Sequence, residues 1–181
     1  MSKVIVIMAD GCEEVEALTV VDVLRRGGAT VCAASAGDSL DIQGAHSIIF
    51  KADALLQDIK EGDFDAVVIP GGMGGRNNIL NTPKAIDICK KFKEEGKIVA
   101  AICAGPTVLG RNGLLKGITA TCYPSLEGEL EGCMAVSDIV VKDKNIITSQ
   151  GPATAMAFAV ELLKALEGEE TAASVAKGLL L

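Results

Sequence analysis

Residues 97 to 107 read KIVAAICAGPT, and that run decides the fold. Lys97 to Ile102 is short and apolar, with no polar alternation, as expected of a strand buried on both faces of a parallel sheet. It enters Cys103-Ala104-Gly105-Pro106-Thr107, where small residues permit a tight turn, Gly105 permits close approach and Pro106 suits the first turn of a helix. A strand running through one reactive side chain into a helix is the layout of a nucleophile elbow, here with Cys in place of Ser. A helix N-terminus beside the sulfur predicts a lowered thiol pKa and a reactive thiolate. The competing reading is a buried structural cysteine at a strand end.

Outward from this run the same alternation repeats. Lys3 to Met8, Ala29 to Ala34 and Asp65 to Ile69 read as further buried strands. Glu14 to Arg26 reads as a helix with Val15, Leu18, Val21 and Leu24 on its apolar stripe and Asp22 and Arg25 towards water; Gly27-Gly28 stops it. Thr82-Pro83 opens a helix to about Glu95, with Thr82 as N-cap. Ala104 to Leu109, Pro152 to Leu166 and Glu170 to Leu180 are also helical. Asp41 to Phe50 reads as irregular or an edge excursion, with Gly44 as punctuation, Ala54 to Ile59 as a short helix, Ile118 to Cys122 as a strand, and Val136 to Val141 with Asn145 to Thr148 as a hairpin turning at Lys142-Asp143-Lys144. The whole is an α/β chain of one domain, 1–181: a flavodoxin-like, doubly wound, mostly parallel sheet with helices on both faces. Ligands of such sheets bind at the carboxyl ends of the strands. Three loops there stand out: Ala9 to Glu16, Pro70 to Asn78, and Cys103 to Thr107.

Composition agrees with a packed core and narrows the function. Apolar residues make up 49% of 181, with no Trp and one Tyr, so Val, Ile, Leu and Ala must build the interior. A net charge of −7 disfavours phosphate backbones, and no basic helix face points to a membrane surface. Val4 to Ala9 is too short for a signal peptide or a spanning helix, so the expectation is a soluble, cytoplasmic protein. The six cysteines show no C-x-x-C spacing and there is one histidine, so no metal site and no disulfide framework is expected.

The other two loops offer partners for the sulfur. Pro70-Gly71-Gly72-Met73-Gly74-Gly75-Arg76 lacks the lysine of a phosphate loop and is not followed by an immediate helix; its alternatives are an oxyanion hole of backbone N–H groups or a plain glycine turn. In Asp10-Gly11-Cys12-Glu13-Glu14-Val15-Glu16, Glu13 and Glu14 read as helix caps. Glu16 points to a different side, where it can share a proton with Cys103. His46 lies outside the three loops and reads as a surface or interface residue.

Together these motifs resemble the ThiJ/PfpI (DJ-type) superfamily, in the branch of the Parkinsonism-associated deglycase and its bacterial relatives. Matching stretches are Gly11 to Glu16, Pro70-Gly71-Gly72, Ala100 to Thr107, and Thr148-Ser149-Gln150-Gly151-Pro152, in order along the whole chain. The resemblance implies a homodimer, an easily oxidised Cys103, and a protonated Glu16 hydrogen-bonded to it. It implies oxyanion donors at the N–H groups of Gly72 and Ala104. In the human relative an arginine at the position of His46 reaches the partner's site, which implies that His46 is a cross-interface neighbour of Cys103. Tyr123 stands where that relative has a histidine, and it and Pro152 are site neighbours. Protease-like members carry His directly after the cysteine; Ala104 in that place argues against a peptidase.

Two functions follow as expectations. One is a cofactor-independent glyoxalase or deglycase that acts on methylglyoxal-type 2-oxoaldehydes or their early glycation adducts. The other is a non-enzymatic sensor or chaperone of oxidative stress that works through oxidation of Cys103.

Overall fold

A computed structural model describes all 181 residues. The strands are β1 (Lys3–Met8), β2 (Thr30–Ser35), β3 (Asp41–Gln43), β4 (Ile49–Lys51), β5 (Ala54–Leu55), β6 (Ala66–Ile69), β7 (Ile98–Ile102), β8 (Thr119–Ala120), β9 (Met134–Ala135), β10 (Val140–Asp143) and β11 (Ile146–Ser149). The helices are α1 (Glu14–Arg26), α2 (Met73–Leu80), α3 (Pro83–Glu94), α4 (Gly105–Arg111), α5 (Ala155–Glu167) and α6 (Glu169–Gly178). Seven strands form the central sheet in the order β10-β11-β7-β6-β1-β2-β5. Every pairing is parallel except β10 with β11.

Strand alternation divides the core into two layers. In β1, Val4, Val6 and Met8 face α1 and α5, packing with Val20, Leu24, Phe158 and Leu162, while Ile5 and Ile7 face the layer of α2, α3 and α4 with Ile79, Ile88, Phe92 and Leu109. β7 splits likewise: Ala100 and Ile102 to the first layer, Val99 and Ala101 to the second. Both faces of these strands are dry, which is why they read as unbroken apolar runs.

Tertiary packing redraws several local readings. On α1 the buried stripe is Ala17, Val20, Val21 and Leu24, whereas Val15 and Leu18 stay 54% and 42% exposed. The three-residue spacing therefore drifted off the true 3.6-residue face. Ala54 to Ile59 is not a helix: Ala54 and Leu55 pair with the free edge of β2 before one 3₁₀ turn, Leu56–Asp58. Asp41 to Phe50 is an excursion from the main sheet and a regular one, since β3 and β4 form a small antiparallel pair of their own. β8 stands outside the main sheet with β9 as its partner. Pro83 opens α3 as expected, but the Thr82 hydroxyl donates back to Asn78 O at the end of α2 instead of capping α3. The glycine loop is followed by a helix after all, because α2 starts at Met73.

No helix is long and apolar enough to cross a membrane.

Candidate active site

β7 delivers Cys103 to the carboxyl edge of the sheet. The Cys103 N–H donates to Ser149 O at 2.9 Å, continuing the ladder between β7 and β11, and the Cys103 C=O accepts from Tyr123 N–H at 2.9 Å. Between these bonds the chain reverses with φ +64° at Cys103. A non-glycine residue in the left-handed region is strained, and a strained nucleophile position is the mark of an elbow.

The sulfur is met from three directions. The backbone N–H groups of Gly72 and Ala104 stand beside it and favour its thiolate. Gly72 holds φ +85°, a conformation that glycine adopts without steric cost. Gly71 is bound by space: a Cβ there would stand 2.5 Å from Cys103 Cβ and 2.6 Å from Glu16 Oε2. The third direction is Glu16, one turn into α1 and fully buried.

Glu13 is what sets that orientation. Its Oε2 caps α1 by accepting the Glu16 N–H at 2.8 Å. The Glu16 side chain then turns inward, where Oε2 accepts the Gly71 N–H at 2.7 Å and the carboxyl faces the Cys103 sulfur across Gly71. Oε1 is buried with no hydrogen-bond partner, which leaves it free to carry a proton.

Burial dominates the electrostatics of the pair. It raises the Glu16 carboxyl to about 7, against the Gly71 N–H and the thiol, which pull it down. The Cys103 thiol is not lowered, contrary to the expectation from the helix N-terminus. Burial first, then the charge of Glu16, push it up to about 12, outweighing the two amides. The short α4 is too weak a dipole to reverse the loss of water around a cysteine that is 8% exposed. The pair therefore gives up its first proton, from the carboxyl, near pH 7 and keeps the second on the sulfur.

A pocket of about 340 Å³ opens onto the sulfur. Cys103, Gly72, Ala104, His46, Tyr123 and Pro152 all line it, so these six sequence candidates converge, with Glu16 behind the sulfur. Tyr123 is half exposed at the rim. Pro152 follows Gly151, whose N–H donates to Thr154 Oγ1, and that hydroxyl is 2.6 Å from the Ser149 hydroxyl. Glu13, Met73, Ala45 and Leu126 complete the lining, a place the sequence did not assign them. The first two lie inside the loops after β1 and β6; Leu126 had no local signal.

His46 enters this pocket within its own protomer. Glu14, which reads as a cap in the sequence, instead holds the histidine: Oε1 accepts the His46 N–H at 2.7 Å and Oε2 lies 2.9 Å from Nδ1. Those bonds raise the His46 pKa, and on Glu14 they overcome the effect of burial and lower its pKa. Glu13, Glu14 and His46 present three possible ligand atoms within 4.8 Å of one another. Glu14 and the imidazole are already paired in an ion pair, and Glu13 is occupied as the cap. A larger, polar cavity of about 470 Å³ lies near the ends of β1 and β2, lined by Asp10, Ser35, Asp38 and Asn78 among others, and holds none of the sulfur's partners.

A doubly wound sheet with a strained cysteine at a strand end, two amides on its sulfur and a buried carboxyl facing it defines a cysteine-elbow protein of flavodoxin-like fold. Family comparison gives that class its name. Residues 2–165 match the DJ-1/PfpI family, and the chain belongs to it.

Protein DJ-1 homolog B of Arabidopsis thaliana is 40% identical over 181 residues, covering 99% of this chain but 41% of that protein's length. Glutathione-independent glyoxalase DJR-1.2 of Caenorhabditis elegans is 34% identical, covering 99% of this chain and 96% of the relative. The structure of oxidized Toxoplasma gondii DJ-1 superposes with a TM-score of 0.96 at 36% identity, covering 99% and 98% of the two chains.

Proposed function

We propose that this protein is a cofactor-independent glyoxalase that converts methylglyoxal-type 2-oxoaldehydes to 2-hydroxy acids, with deglycation of early adducts as the same chemistry on a larger substrate. The observation that carries the reading is the Cys103 sulfur, held by two backbone N–H groups and facing a buried carboxyl at the floor of a pocket. The C. elegans relative named as a glyoxalase adds support.

In the proposed reaction Glu16 takes the thiol proton as sulfur attacks the aldehyde carbon, and the carbonyl electron pair moves onto oxygen. The Gly72 and Ala104 N–H groups stabilise that oxyanion. The oxygen then takes up the proton that Glu16 holds. As a carboxylate again, Glu16 removes the aldehyde-derived C–H proton, giving an enediolate; the carbon 1 hydroxyl passes its proton to the carbon 2 oxygen and becomes the thioester carbonyl as Glu16 returns its proton to carbon 2. Carbon 1 is oxidised and carbon 2 reduced, leaving the thioester of a 2-hydroxy acid. Water cleaves the thioester, restores the thiol and balances the reaction. A carboxyl raised to about 7 is a stronger base than an ordinary glutamate and still ionises near neutral pH.

The test is lactate formation from methylglyoxal by purified protein beside Cys103→Ser and Glu16→Gln. Turnover by wild type and its loss in Cys103→Ser support the scheme; a fully active Cys103→Ser rejects it.

A second reading, sensing of oxidative stress through Cys103, is favoured by the carboxyl against the sulfur, which would donate a hydrogen bond to a sulfinate. It also draws on the oxidized form of the T. gondii relative. A gain of two oxygens on Cys103 after mild peroxide, with no methylglyoxal consumed, would favour it.

The proposal extends to a single-domain, cytoplasmic homodimer. Val15, Leu18, Ile48 and Ile49 are exposed apolar residues on α1 and on the segment after His46, and they supply a face for a second copy. In that dimer His46 would stand next to the partner's pocket as well as its own.

A further inference from the structure

Arg76 belongs to the glycine-loop motif yet lies outside the pocket, and it is 4% exposed. Its Nε donates to Thr107 Oγ1 at 2.8 Å and its Nη1 to Asn77 Oδ1 at 2.9 Å. Its Nη2 pairs with Glu129 Oε2, which also takes Arg111 Nε at 2.7 Å. Thr107 Oγ1 donates onward to the carbonyl oxygen of Ala104 at 2.7 Å. Through its own main chain, Arg76 N–H donates to the carbonyl oxygen of Gly72 at 2.8 Å.

One residue therefore grips both loops whose N–H groups meet at the sulfur. Its main chain makes the first-turn bond of α2 to Gly72, as any residue there would, and its side chain, through Thr107, ties that turn to Ala104. A buried guanidinium is a costly way to fill space, because it must be fully paired to be tolerated. Its planar, directional donors fix one segment against another more sharply than an apolar side chain would.

We infer that Arg76 is a positioning residue that sets the spacing of the Gly72 and Ala104 N–H donors around Cys103. The inference rests on the proposed thiol chemistry for its turnover readout alone. When the strut is removed the two loops relax independently, and donors displaced by a fraction of an ångström hold a thiolate or an oxyanion less well.

The test compares Arg76→Met, which keeps the stem and leaves Glu129 paired with Arg111, with Arg76→Lys and Thr107→Val. Two quantities are read. One is the pH profile of Cys103 alkylation by iodoacetamide, followed by peptide mass. The other is kcat and KM for methylglyoxal. Arg76→Met should move the alkylation midpoint upward and lower kcat about tenfold or more, with KM within about twofold. Arg76→Lys should restore part of both, and Thr107→Val should move the midpoint in the same direction. A merely structural strut would lower Tm and leave the midpoint where it was. That outcome in folded Arg76→Met overturns the inference, as it does in Thr107→Val should the first variant not fold. A wild type without turnover sinks the proposed function, and the alkylation profiles still decide the role of Arg76.

Discussion

Replacing Glu16 by Gln should remove a pH dependence of stability that this one carboxyl imposes on the fold. In the native protein Glu16 has no exposure to water, and burial holds its pKa at about 7 against an ordinary 4.5. The native state therefore holds the Glu16 proton at pH values where the unfolded chain has released it. Stability contributed by the neutral carboxyl is complete below about pH 4.5 and declines as pH rises through about 7. A difference of roughly 2.5 units at 1.36 kcal/mol each amounts to about 3 kcal/mol. Gln keeps an oxygen for the Gly71 N–H but cannot ionise. The stability difference between Glu16→Gln and wild type should accordingly shift by about 3 kcal/mol in favour of the variant between about pH 4.5 and pH 8. Urea denaturation of both proteins at half-unit pH steps measures this, and taking the difference removes every other titrating group. The same variant should lose at least about a hundredfold in methylglyoxal turnover, the usual range for a missing general base. A difference that does not change with pH would refute the reasoning, because it would mean that Glu16 is ionised and adequately solvated in the folded state.

Two further outcomes follow from contacts at the site. Gly71→Ala sets a methyl 2.5 Å from Cys103 Cβ and 2.6 Å from Glu16 Oε2, so it should cost about 1–3 kcal/mol by denaturant titration and reduce Cys103 alkylation as the thiol and carboxyl are pushed apart. Glu14→Gln removes the carboxylate that raises His46, so the His46 titration followed by NMR should move down towards 6.5; an unmoved midpoint would show that Glu14 does not control it.

Much of this site was legible before any coordinates, because its signals are local. The run KIVAAICAGPT carries its own strand, turn and helix start, and the elbow geometry at Cys103 follows from its neighbours in the chain. Pro70-Gly71-Gly72 left two readings open, an oxyanion hole or a plain glycine turn. Roles that differ between adjacent, identical residue types were far less legible. Glu13, Glu14 and Glu16 look alike as acids at a helix start, and family resemblance rather than periodicity singled out Glu16. In the structure the first caps α1, the second holds His46, and the third faces the sulfur.

The amino-acid order alone determined a parallel sheet with covered faces, the order of its main elements, and the identity of the cysteine at the turn. These depend on alternation and on turn residues, whose effects reach only a few positions along the chain. Tertiary structure decided which side of α1 is wet, how His46 and Leu126 enter the pocket, and what Arg76 ties together. It also decided that the thiol shifts upward, against the pull of the helix end. Desolvation and cross-chain hydrogen bonds belong to whatever packs over a residue, and a linear pattern does not record those neighbours.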